Sequence, residues 1–236
     1  MEPIHWYIRN VICDGNEKLN DYIWNWWSYL IQFPEEKLKT ILVLKSILQR
    51  YDKNIIINFI SNKVLGSVFY YATSDLGKIL GKFNSIIKGR KLVVINETGM
   101  ASGEWHKFND HLKSLISENK INIEYKGVGV DTTDVKDYIA YMVTSNHNVP
   151  LKVEMSDGRI VCFDISAWYR GNRPYFKNLE KILNHPDALE IVMSYLLSRD
   201  LSNWDPEDIS STKMKTETIC DQLPNPMRFI IQHISS

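Results

Sequence analysis

The stretch TILVLKSILQRYDKNIIINFI, from Thr40 to Ile60, constrains the chain most. It reads as a buried strand over Ile41, Leu42, Val43 and Leu44, a loop of roughly eight residues, and a helix opening at Asn54. A strand, a loop and a helix preceded by a lysine is the layout of a phosphate-binding loop, where backbone N–H groups and a helix N-terminus receive phosphate oxygens. Lys53 stands where that lysine would stand. The pattern G-x-x-x-x-G-K-[ST], however, would put glycines at Ile47 and Asp52, and Asn54 replaces the hydroxyl that binds magnesium. By pattern alone the stretch is an ordinary strand–turn–helix with an exposed lysine.

Around that stretch the elements alternate. Leu19–Phe33 places Ile23, Trp26, Trp27, Leu30 and Ile31 at helical spacing and ends at Pro34. The spacing predicts a helix from Asn54 to Val64 closed by Gly66, and a short strand over Val68–Ala72. A helix capped by Thr73 or Ser74 follows, with Leu76, Ile79, Leu80 and Phe83 on one face. Apolar strands are expected over Lys91–Glu97, Tyr138–Asn146 and Arg159–Ile165, each ending in polar residues. A helix over Glu104–Ser117 and a half-solvated strand at INIEYKG lie between them. In open parallel sheets ligands bind beyond the carboxyl ends of strands, which puts Asn96 and Glu97 where a catalytic acid would be placed.

This order predicts an α/β fold, a three-layer sandwich on a mostly parallel sheet. Its expected divisions are an N-terminal helical segment (1–36), a core (37–166) and a C-terminal helical segment (167–236). The 28 basic and 28 acidic residues cancel, so contact with nucleic acid has to come from a local patch. Three cysteines at irregular spacing (Cys13, Cys162, Cys220) argue against a disulfide framework or a zinc site. No metal ligands are expected from the sequence. With no targeting segment or apolar run of membrane-spanning length, the expectation is a soluble intracellular protein without a membrane partner.

Six blocks taken in order, FISNKVLG, GKFNSIIKGRKLVVINE, LKSLIS with INIEYKG, YMVTSNHNVPLKVE, RIVCFDIS and YLLSRDLSNWDPEDISSTKMK, resemble a known family. It is the helicase-like domain that follows the primase-polymerase module of phages, plasmids and related mobile elements, in the superfamily 3 branch of the AAA+ ATPases. The resemblance runs from about Trp6 to Gln222 and implies a P-loop, AAA+-like sandwich that uses ATP and magnesium, forms a ring and grips single-stranded DNA. It places the phosphate-binding lysine on Lys53, followed by Asn54, and the acidic pair on Asn96 and Glu97, with Glu97 activating water. It places the sensor asparagine on Asn146. An arginine finger acting across the ring interface falls on Arg159, where relatives carry two adjacent arginines. A pore hairpin spans Ile121–Val130, with Lys126 as its basic contact.

Departures from the family bear on activity. Its loop glycines fall on Ile47, Arg50 and Asp52, and each side chain forced into left-handed backbone costs about 1–2 kcal/mol. A carboxylate at Asp52 about 5 Å from a phosphate charge repels it by roughly 3 kcal/mol at an effective dielectric near 20, about two decades of affinity. Strain and repulsion together outweigh what Lys53 offers. Three readings follow: a working or weakened ATPase motor; a decayed relative of impaired ATP binding and hydrolysis, in the limit a non-catalytic DNA-binding or oligomerisation module derived from the family; and, from an unrelated class, a purely structural or protein-interaction domain.

Overall fold

A computed structural model of the protein describes residues 1–46, 54–96, 104–126, 133–146, 158–169 and 171–208, with side chains placed throughout except at 104–110 and 133. Five strands form one parallel sheet: β1 (Ile41–Lys45), β2 (Tyr70–Thr73), β3 (Leu92–Asn96), β6 (Ala140–Ser145) and β7 (Ile160–Asp164), in the order β2-β3-β6-β1-β7. Two further strands, β4 (Lys120–Ile123) and β5 (Thr133–Lys136), pair antiparallel in a separate sheet. The helices are α1 (Glu2–Tyr7), α2 (Glu17–Gln32), α3 (Asn54–Asn58), α4 (Gly77–Leu80), α5 (Glu104–Ser117), α6 (Arg173–Leu183) and α7 (Ala188–Ser198). Wider π turns extend α1 through Ile8–Ile12 and α3 through Phe59–Gly66.

Alternation along the parallel strands divides the interior in two, as the period-two geometry of a strand requires. Leu42, Leu44, Leu92, Val94, Met142, Val161 and Phe163 face α1, α2, α3, α6 and α7. Ile41, Val43, Val93, Ile95, Tyr141, Val143 and Cys162 face α5 and the β4–β5 hairpin. The three-layer α/β sandwich expected from the sequence is the architecture observed. Both helical ends of the chain contribute to the same core as the sheet.

Each element follows from its residues. Asn16 caps α2 by accepting from the Leu19 N–H at 3.1 Å, and Trp24, Trp26, Trp27 and Leu30 are buried along that helix. Gly66 closes the α3 segment with φ +88°, left-handed backbone that glycine adopts without strain. β1 begins where its apolar run does and ends one residue beyond it, at Lys45. The helix after β2 is shorter than expected: α4 is one turn without a side-chain cap, and Phe83 lies beyond it, exposed. Thr73 instead accepts from the Asp75 N–H at 3.0 Å, a turn that competes with a helical start. β2 starts two residues later than expected, leaving Val68 and Phe69 exposed. No helix among the described residues is long and apolar enough to cross a membrane.

Candidate functional site

The carboxyl ends of the parallel strands lie level. Lys45 at the end of β1 is in register with Ser145 of β6 and Asp164 of β7, and Asn96 of β3 with Thr144 of β6. In chain order α3 is the next described element after β1. β6 runs between β1 and β3, so the three elements on which the resemblance places its site residues are neighbours here.

Side chains tie these ends together. The Thr144 hydroxyl donates to Asn96 Oδ1 at 2.9 Å, Thr144 being buried and Asn96 half-buried. The Ser46 N–H donates to the Ser145 carbonyl at 2.9 Å, and the Ile165 N–H to the Lys45 carbonyl at 2.9 Å. Lys45 is only 7% exposed, and its Nζ lies 3.8 Å from the Asp164 carboxylate, which opens to solvent. The described part of this edge is therefore a row of hydroxyl, amide and paired charged groups.

Of the residues expected to carry function, Asn96 and Asn146 end adjacent sections of this edge and Asn54 opens α3, exposed to solvent. Lys53 and Glu97 lie outside the described residues, as do Ile47, Arg50 and Asp52. Arg159 is at the other end of the sheet, where its carbonyl accepts from the Ile41 N–H at 2.7 Å and its guanidinium donates to Ser117 Oγ at 3.0 Å. About five residues of strand, roughly 16 Å, separate it from the Asp164 end of β7. Within one chain it does not join Asn96 and Asn146. Lys126 is exposed just after β4. The hairpin that carries it is a real antiparallel pair, but its second strand is Thr133–Lys136, past the expected Ile121–Val130 span.

The described donors at this edge do not fit a magnesium ion well. Asn96 brings a neutral oxygen that already accepts from Thr144, and no group of three or more metal-binding side chains occurs among the described residues.

Sequence reasoning did not single out Lys45, Thr144 or Asp164. Each is the last or next-to-last residue of its strand, directly after an apolar run, and that position was the available signal. It also missed the opposite, amino edge of the sheet. There a cleft of about 400 Å³ is lined by Glu35, Glu36, Lys37, Lys39, Asp137 and Tyr138 among others. In it Lys37 and Asp137 form a fully buried ion pair. Burial lowers the Lys37 pKa from its ordinary value although Asp137 pulls the other way. Lys91, buried nearby, donates to the carbonyls of Glu36 at 2.7 Å and Phe33 at 3.4 Å; burial pulls its pKa down to about 8 against the raising influence of Glu35, Asp137 and Glu36.

The fold is shared with solved structures. The chain is similar to the apo structure of the NrS-1 C-terminal region (305–718), at 15% identity and a TM-score of 0.74, and to the A form apo structure of the same region, at 16% and 0.74. Each likeness covers 95% of this chain and 52% of the other, so the chain spans about half the length of these relatives. A family model described as a family of unknown function (DUF5906) matches residues 44–159. No curated protein matches the sequence.

Proposed function

We propose that the chain is a superfamily 3 helicase-like replication domain of a mobile genetic element in which ATP binding and hydrolysis are impaired. The observation that carries the reading is the level carboxyl edge: β6, ending beside Asn146, lies between β1 and β3, so the ends of β1, β6 and β3, the last with Asn96, stand side by side, the arrangement the six sequence blocks imply. The fold likeness to the NrS-1 C-terminal region supports the fold on which this reading rests. Impairment is argued from chemistry. Ile47, Arg50 and Asp52 replace glycines, Asp52 putting a carboxylate in the expected phosphate loop, and Asn96 offers an amide where a carboxylate would hold a metal. Arg159, distant from its own chain's edge, suits action on a neighbouring subunit of a ring. Single-stranded DNA is the polymer such a ring would hold, with Lys126 repeated around its pore.

A second reading, a non-catalytic DNA-binding or oligomerisation module of the same descent, is favoured by Asp52 and by the bond from Thr144 that occupies Asn96. ATP turnover of the full chain against Lys53→Ala, with and without single-stranded DNA, tests the impaired-ATPase proposal. The expected result is no difference between the two proteins. A wild-type rate that depends on both Lys53 and Glu97 would overturn it.

A further inference from the structure

At the amino edge of the sheet, opposite the edge that carries Asn96, lies a further cavity of about 300 Å³. Leu30, Ile31 and Pro34 wall it from the carboxyl end of α2, Val64 and Leu65 from the π turns that extend α3, and Phe69 from the residue before β2. Its polar side chains, among the described residues, are Arg90, Lys91 and Tyr138, and none of them is a carboxylate.

Lys91 is fixed in place from two sides. Its N–H donates to the Phe69 carbonyl at 2.8 Å, and its carbonyl accepts from the Ala140 N–H at 2.9 Å. The side chain is buried, with Nζ donating to the carbonyls of Glu36 and Phe33. An ammonium carries three protons, so two carbonyls leave one unspent. Arg90 is likewise held by carbonyls alone: Nε donates to Ile86 at 3.2 Å, and Nη1 to Ser67, Val68 and Tyr70. Among the described residues neither cation forms an ion pair. The acids whose charge reaches Lys91 are Glu35, Glu36 and Asp137. Glu36 accepts from the Tyr29 hydroxyl, Asp137 pairs with Lys37, and Glu35 is exposed.

A buried ammonium is ordinarily matched by an anion, because carbonyl dipoles replace only part of the hydration it loses. Here the cavity supplies two adjacent cations, apolar walls and no negative charge of its own. One unspent lysine proton suits a singly charged head; a phosphate carries more charge and needs more donors. The volume is at the low end for a ligand pocket, which calls for a short hydrocarbon chain or a single ring. We infer that this cavity binds a small apolar monocarboxylate, its head accepting a hydrogen bond from Lys91 Nζ beside Arg90 and its hydrocarbon part lying against Leu30, Val64 and Leu65. Binding of the anion is then linked to protonation. Burial pulls the Lys91 amine down to about 8, and a carboxylate beside it favours the charged form. The site is at the other edge of the sheet from the proposed nucleotide site and does not depend on it.

Calorimetric titration of the full chain at pH 7 with octanoate, octylamine and acetate tests the site, using wild type, Lys91→Met and Leu65→Trp. Wild type is expected to bind octanoate at one site per chain, and acetate and octylamine about tenfold more weakly or worse. Lys91→Met, which removes the charge, and Leu65→Trp, which fills the cavity, should each weaken octanoate about tenfold. Wild-type affinity for octanoate should also fall between pH 7 and 10, and the fall should be absent in Lys91→Met, a difference that a merely structural lysine would not produce. Should Lys91→Met fail to fold, Leu65→Trp and the comparison of octanoate with octylamine on wild type decide. Octylamine binding as tightly as octanoate, octanoate affinity unchanged by the substitutions, or no octanoate binding at all would each overturn the inference and leave the proposed function untouched.

Discussion

Thr144 donates its hydroxyl proton to the side-chain oxygen of Asn96 across 2.9 Å, joining the carboxyl ends of β6 and β3. The bond fixes the Asn96 amide and takes one of the two lone pairs on its oxygen. Thr144→Val keeps the shape and removes the donor. Chemical denaturation should show a loss of about 0.5–1.5 kcal/mol, the usual net worth of one such bond. A loss several times larger would mean that Thr144 supports more than Asn96.

Restoring the loop chemistry should act in stages. Replacing Ile47, Arg50 and Asp52 together by glycine removes backbone strain, bulk and charge, so nucleotide binding should return first, read by fluorescent-nucleotide titration. Hydrolysis should stay low until Asn96→Asp is added. A triple-glycine variant that hydrolyses ATP at once would show that the amide at Asn96 is no obstacle.

Lys126 is one exposed cation per chain, so its contribution grows only by repetition around an assembly. Salt-titrated anisotropy with a single-stranded oligonucleotide should show weaker binding and a shallower salt slope for Lys126→Ala. Unchanged affinity and slope would remove the hairpin from the DNA-binding proposal.

The amino-edge ion pair carries a stability prediction. With side chains 3% and 1% exposed, Lys37 and Asp137 leave a buried unpaired charge when either is truncated. Asp137→Ala should cost about 3–5 kcal/mol, whereas Lys37→Met with Asp137→Leu should cost much less. Urea unfolding of the three proteins measures the difference.

Lys91 sets a pH dependence whose sign is fixed by its lowered pKa, about 8 against an ordinary 10.5. Below about pH 8 the folded and unfolded chains both hold this proton. Between that value and 10.5 the unfolded chain holds it more strongly, so folded stability contributed by this group rises with pH. Denaturation midpoints of wild type minus Lys91→Met, followed from pH 7 to about 10, should therefore increase. A flat or falling difference would place the Lys91 amine in contact with water.

Much of this architecture was legible because burial leaves a periodic trace. The apolar runs ILVL, LVVI and YMV read as buried strands, and the α2 and α5 patterns read as helices with near-correct ends. β5 was not legible. Thr133-Asp134-Val135-Lys136 has no apolar run of its own and is a strand only because β4 pairs with it. The pairing of Lys45 with Asp164 was hidden for a related reason: the two are 3.8 Å apart only because β7 adjoins β1, and strand order is a property of the whole sheet. The start of the chain carried a readable signal that went unused, since Ile4, Tyr7, Ile8, Val11 and Ile12 recur at helical spacing and are all buried. Phe83 misled because a helical pattern says nothing of where a turn will compete with it.

The strand order also bears on how a nascent chain reaches this state. Among the described residues β1 pairs with β6 and β7 alone, and β6 begins at Ala140, 95 residues after β1 ends at Lys45 (140 − 45). Synthesis at about 5–20 residues per second leaves that strand without sheet neighbours for several seconds. During that interval α2, already made, is the surface against which Leu42 and Leu44 can shelter. The tryptophan-rich helix is thus the apolar surface already present for the strand that follows it, and shortening its apolar face should cost yield during expression before it costs equilibrium stability.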